Sequence, residues 1–264
     1  MRPALQQYYL GMDRDVAAWV AAVIANGGAV SAPRAAIVGR FIAREKASGA
    51  WALTDDYWGL WAEGEAQALT SLKQLRLATV VAAPTFTADA GYAFNGTTQY
   101  VNTGFNPATH GIRIAGTSMR IGIYERTDRA SLTAAAGSYT SITSGFRVFP
   151  RDASSQFGMN LASNTSFIAG HADSRGYTSF YRDDTTFGAY KNGSSAGTVV
   201  PSSSGSTLAS LAMFIGASNS GGAAALFRAS SLGFVSVGSP LTESQQLAHY
   251  NAVQAWATAV GAEV

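Results

Sequence analysis

The sequence predicts a mainly β protein: an antiparallel β-sandwich of jelly-roll form, with a small helical N-terminal module before it and a C-terminal helix after it. Three observations carry that prediction. After residue 84 the chain breaks into short stretches of alternating apolar and polar residues, punctuated by Gly, Ser, Thr and Asn, as strands joined by turns require. Before that point, and again near the C-terminus, apolar residues recur at helical spacing. A length of 264 residues suits one large sandwich with an appendage better than two equal domains. The expected organisation is a helical docking module over residues 1–83 and the sandwich with its closing helix over residues 84–264.

The first helix is read from Val16, Trp19, Val20, Val23 and Ile24, which share one face, between an N-cap at Asp13 or Asp15 and a stop at Asn26-Gly27-Gly28. A second starts at Ser31, accepts Pro33 in its first turn, aligns Ile37, Val38, Phe41 and Ile42, and ends at Ser48-Gly49. Thr54 followed by Asp55 and Asp56 has the form of another N-cap with an acidic first turn, leading a helix through Tyr57, Trp58, Leu60 and Trp61. A short helix over residues 66–75 is expected next. Strands are expected at residues 85–87, 91–94, 99–103, 118–125, 146–150, 157–161, 177–182, 187–190 and 213–216. Within 118–125, Met119, Ile121 and Ile123 alternate with Arg120, Gly122 and Tyr124, so one strand face should be buried. Asn192-Gly193 marks a type I′ hairpin, because both turn positions need positive φ. Thr242 and Gln245 form a capping box, and Leu247, Tyr250, Val253, Ala257 and Val260 stripe the last helix up to Gly261.

Composition narrows the function. Charged residues are only 13% of the chain against 47% apolar, so the surface is thinly charged and suits assembly. The net charge is +2 with Lys and Arg scattered singly, which leaves no basic stripe for a run of phosphates and argues against nucleic acid. No stretch reaches the ~18–20 apolar residues of a membrane span, and the first ten residues lack an export signal, so synthesis in the cytoplasm is expected. The absence of cysteine removes disulfides, thiolate metal sites and cysteine nucleophiles.

Several phrases resemble the concanavalin A-like, laminin-G-type jelly-roll domains. Gly91-Tyr92-Ala93-Phe94-Asn95-Gly96-Thr97-Thr98-Gln99-Tyr100-Val101 is similar to that family's early strand pair, in which a turn Gly lets two strands fold back. Met213-Phe214-Ile215-Gly216 resembles its late strand, and residues 232–238 followed by Leu241-Thr242-Glu243 resemble its final strand and closing helix. A Trp-containing helical lead-in before such a domain is similar to tail-region or minor virion proteins of tailed bacteriophages. The resemblance implies a non-catalytic virion structural protein of tail, fibre or capsid decoration, located in the virion. Its partners would be other virion proteins and further copies of itself, with a host surface glycan as a ligand of the outer domain. The alternatives are a cellular carbohydrate-binding module or a degenerate glycoside hydrolase.

Candidate chemistry is sparse, and the sequence is read as not an enzyme and as needing no cofactor. The glucanase branch of the resembled family needs paired carboxylates about 5–5.5 Å apart, whereas Glu125 and Asp128 are badly spaced and Asp183 and Asp184 point to opposite faces of a strand. Gly193-Ser194-Ser195-Ala196-Gly197 satisfies G-x-S-x-G, but it follows a hairpin turn rather than opening a helix, and His110, His171 and His249 are scattered. No two histidines have metal-ligand spacing, and Asp152, Asp173, Asp183 and Asp184 read as solvated loop acids before they read as a calcium cage. A glycan patch is placed at Tyr177, Tyr181, Arg182 and Asp183, with half-buried strand tyrosines as the plainer reading. Trp51, Trp58 and Trp61 are the candidate assembly residues, set against internal packing on the sandwich.

Overall fold

The computed structural model describes residues 11–264; the first ten, read as lacking an export signal, lie outside them. Helix α1 (Arg14–Ala25) opens with Asp13 accepting from the Asp15 N–H, and α2 (Ala32–Ser48) opens with Ser31 accepting from the Arg34 N–H. A single turn, α3 (Ala50–Leu53), leads directly into strand β1 (Thr54–Gly59). The helix expected through Tyr57 and Trp58 is therefore a strand. Helix α4 (Glu65–Leu69) covers only the first part of the expected 66–75 helix, since the chain turns extended at Thr70.

The next strands are β2 (Thr79–Val81), β3 (Thr85–Thr87), β4 (Gly91–Ala93) and β5 (Tyr100–Asn102), followed by the turn-long α5 (Pro107–His110). The body continues with β6 (Ser118–Glu125), β7 (Ala136–Tyr139), β8 (Gly145–Phe149), β9 (Gln156–Leu161), β10 (Ser166–Ala169), β11 (Gly176–Asp183), β12 (Thr186–Lys191) and β13 (Ser194–Val199). Short strands β14 (Phe214–Ile215), β15 (Ser218–Ser220) and β16 (Ala223–Ala225) precede β17 (Ser231–Gly238) and the closing helix α6 (Glu243–Val260). The β12–β13 hairpin turns through Asn192 and Gly193 with φ of 49° and 80°, the positive pair that the dipeptide predicts. The Thr242–Gln245 capping box is formed in both directions.

The fold is a mainly β, antiparallel sandwich with N-terminal helices and a C-terminal helix. The first sheet runs β13-β12-β11-β6-β17-β4-β3, with β1 paired to β17 beside β4, and the second runs β10-β9-β8-β7-β14-β5-β2, with β15 and β16 attached at β7. Between the sheets lies one core that includes Trp58, Ile121, Ile123, Phe146, Val148, Phe157, Phe180 and Val235. A second core lies on the outer side of the first sheet, where Trp19, Val23, Val38, Phe41 and Trp256 of the helices meet Tyr57, Trp61, Tyr124, Tyr177 and Phe234. Strand alternation sorts the side chains: Trp58 faces the sandwich interior, and Tyr57 faces the helices. Close approach fixes two glycines here, because a Cβ at Gly59 would stand 2.3 Å from Trp256 and one at Gly233 would stand 2.4 Å from Trp61.

The central strands of the first sheet, β1, β6 and β17, are thus buried on both faces, which corrects the expectation of one buried face for 118–125: Arg120 and Tyr124 are as inaccessible as Met119 and Ile121. Residues 54–59, expected within the helical module, supply a strand of this sheet. The second sheet turns Tyr100, Asn102, Tyr139, Arg147, Gln156 and Phe167 outward, and each is partly exposed. That face offers a ligand partly exposed side chains from β5, β7, β8, β9 and β10.

Candidate functional site

The expected patch of Tyr177, Tyr181, Arg182 and Asp183 is not assembled. Tyr177 is fully buried under α6, where its hydroxyl meets His249, and Tyr181 lies half-buried against Tyr190. Period-two alternation sends Arg182 to the opposite face, where it donates to the carbonyls of Gly116, Leu161 and Ala162 and closes one end of the sandwich. Asp183 is exposed at the strand end. Nor do the tryptophans form an assembly surface: Trp58 and Trp61 are fully buried, and Trp51 stacks on Tyr57 at 5.3 Å beneath Lys73. Ser195 lies exposed in the edge strand β13, and among the described residues no three His, Asp or Glu side chains converge as metal ligands.

One buried constellation has the outline of a relay. His249 Nδ1 lies 2.9 Å from both oxygens of Glu45, its Nε2 lies 2.7 Å from the Tyr177 hydroxyl, and Ser236 Oγ stands 3.4 Å away. Burial pulls the His249 pKa below the usual imidazole range, so the ring is neutral, with Nδ1–H donating to Glu45 and Nε2 accepting from Tyr177. The Tyr57 hydroxyl donates to Glu45 at 2.8 Å. Glu45, Tyr57, Tyr177, Ser236 and His249 have no solvent exposure, so the network works as a tie joining α2 and α6 to the sheet.

The candidate chemistry is at the centre of the second sheet, where Arg147, Tyr139, Tyr100 and Asn102 are partly exposed. One register row crosses five strands: Asn160 of β9, Arg147 of β8, Gly137 of β7, Phe214 of β14 and Asn102 of β5. The Arg147 guanidinium carbon lies 3.8 Å from the Tyr139 ring centroid and 5.6 Å from that of Phe149. Beside it, Tyr100 and Phe214 stack at 4.3 Å. Gly137 is required between them, since a Cβ there would stand 2.2 Å from that of Arg147. Two shielded polar atoms in the row, Arg147 Nε and Asn160 Oδ1, have no hydrogen-bond partner among the described residues. Burial also depresses the Arg147 pKa, opposed by Tyr139. The face therefore joins the partly exposed rings of Tyr139 and Tyr100 to a partly exposed guanidinium that no group among the described residues accepts from. Its sequence signal is a lone arginine placed outward between inward Phe146 and Val148, in a strand that was itself legible.

No protein-family model and no curated protein matches the chain. Among solved structures, the receptor binding domain of botulinum neurotoxin C/D mosaic serotype is similar at TM-score 0.53 and 6% identity, over 76% of this chain and 51% of that one. A mutant of Trypanosoma rangeli sialidase displaying trans-sialidase activity is similar at TM-score 0.51 and 14% identity, over 85% of this chain and 40% of that one. Domain 4 of AbnA, a GH43 extracellular arabinanase from Geobacillus stearothermophilus, in complex with arabinotriose, matches at TM-score 0.46 and 12% identity, over 74% and 97% of the two chains. The fold is a β-sandwich jelly roll. The chain spans about half or less of the toxin domain and the sialidase. The sialidase corrects the expectation that this chain is not an enzyme, because a chain displaying trans-sialidase activity shares its fold. None of these three likenesses supports a phage origin.

Proposed function

We propose that the chain is a glycan-binding β-sandwich whose ligand lies across the outer face of the second sheet. The observation that carries this is the face around Arg147, where the partly exposed rings of Tyr139 and Tyr100, the latter backed by Phe214, accompany a guanidinium that no group among the described residues accepts from. Sugars suit such a face, because their C–H surfaces pack on aromatic rings and their hydroxyls supply donors and acceptors. The likeness of residues 91–101 and 213–216 to concanavalin A-like, laminin-G-type domains supports the same reading.

A glycan array probed with the wild-type chain and with Tyr100→Ala/Phe214→Ala tests it. Binding of a defined glycan set by the wild type, weakened at least about tenfold in the double variant, is the expected result; equal binding by both would refute the site. The expected virion location and virion partners come from the sequence resemblance, and self-association also from the thinly charged surface; sedimentation velocity of the whole chain tests the last.

A further inference from the structure

We infer that the ligand of this face is an acidic sugar whose carboxylate is held by Arg147, an inference that rests on the glycan-binding reading. The other shielded arginines of the described chain have partners. Arg34 pairs with Asp89, Arg151 with Asp128 and Arg228 with Glu125, while Arg120, Arg126 and Arg182 donate to carbonyls or hydroxyls. Arg76 donates to Gln74. Arg147 alone among the shielded, described arginines has neither an acid nor an acceptor on its guanidinium, and its Nε is closed off from water.

The terminal nitrogens of Arg147, on a partly exposed side chain and without an acceptor among the described residues, are open to an anion. The planar guanidinium presents parallel N–H groups that match a carboxylate in bidentate geometry, and the Tyr139 ring 3.8 Å away fixes its plane before the ligand arrives. Asn160, on the neighbouring strand in register with Arg147, is buried and forms the floor of the face beside the guanidinium. The stacked Tyr100 and Phe214 rings lie on the other side of Gly137 along the same row. A neutral sugar would cover the guanidinium and leave its charge unpaired; a uronate or a sialate neutralises it.

The test is calorimetric titration of the whole chain with a galacturonate oligomer and with α-2,3-sialyllactose, each beside its carboxyl-reduced form. The expected result is binding of at least one acidic probe at least about tenfold tighter than its reduced form, a preference abolished in Arg147→Gln and partly restored in Arg147→Lys. Near-UV circular dichroism confirms that each variant is folded. Equal affinity for acidic and reduced forms would overturn the inference while leaving glycan binding intact. An acid preference that survives in Arg147→Gln would remove the carboxylate from Arg147. If no probe bound and the array also showed no glycan, both readings would fall.

Discussion

Replacing Glu45 with alanine should cost the whole protein a large part of its stability. In the native state Glu45 accepts from the Tyr57 hydroxyl at 2.8 Å and from His249 Nδ1–H at 2.9 Å, in a site closed to water. The alanine variant leaves both donors buried without partners. Each orphaned group costs about 1–3 kcal/mol, so the expected loss is roughly 4 kcal/mol, against a total of about 5–15 kcal/mol for a typical protein. The assay is urea unfolding followed by tryptophan fluorescence, since Trp58 reports on the core between the sheets and Trp19, Trp61 and Trp256 report on the core beneath the helices. The midpoint should fall with the urea dependence unchanged, in a single transition seen by both sets of tryptophans. A loss below about 1 kcal/mol, or an early separate melting of the helices, would refute the reasoning that Glu45 ties the layers into one cooperative unit. The milder Tyr57→Phe should cost about 1 kcal/mol and be non-additive with Glu45→Ala, because the two share one hydrogen bond.

Three further outcomes follow from buried groups. Burial raises the Asp56 pKa to about 6 from 3.8, so its contribution to stability is full below pH 3.8 and lost as pH rises through 6, about 3 kcal/mol in all. Asp56→Asn keeps the Oδ1 acceptor for the N–H groups of Tyr57, Lys73 and Gln74, and should remove that part of the pH dependence of the urea midpoint between pH 4 and 7. Arg228→Met strands Glu125, whose two oxygens Arg228 holds at 2.6 and 2.9 Å with almost no exposure, and should cost about 3–5 kcal/mol by the same assay. Gly59→Ala drives a methyl into Trp256 and should cost about 1–3 kcal/mol, while a half-buried glycine such as Gly64, with nothing within 4 Å of a new Cβ, should tolerate alanine.

Local chemistry made much of the fold legible. Residues 85–87 and 118–125 are strands with the expected ends, the Asn192-Gly193 turn has positive φ at both positions, Thr242 caps the last helix in the expected box, and the helix expected from Ser31 begins one residue later with Ser31 as its cap. Strand β1 was hidden because Thr54-Asp55-Asp56 imitates an N-cap. The Asp55 carboxylate instead accepts from the N–H groups of Ile112, Arg113 and Ile114, and Asp56 accepts from Lys73 and Gln74, partners remote in sequence. A strand buried on both faces also loses the alternation that separates strand from helix. The site was harder to see, since Asn160, Arg147, Gly137 and Phe214 become neighbours only through register across four strands. The patch proposed from sequence failed for the converse reason: Tyr181 and Arg182 are adjacent in the chain, and alternation sets them on opposite faces.

The most direct test of where ligand binds is an amide NMR titration of the wild-type chain with a glycan identified on the array. Shifts should concentrate at residues 100–102, 137–149, 158–160 and 214, on the outer face of the second sheet. Shifts gathered instead around Tyr181 and Tyr190 on the first sheet, or along the helices, would contradict it.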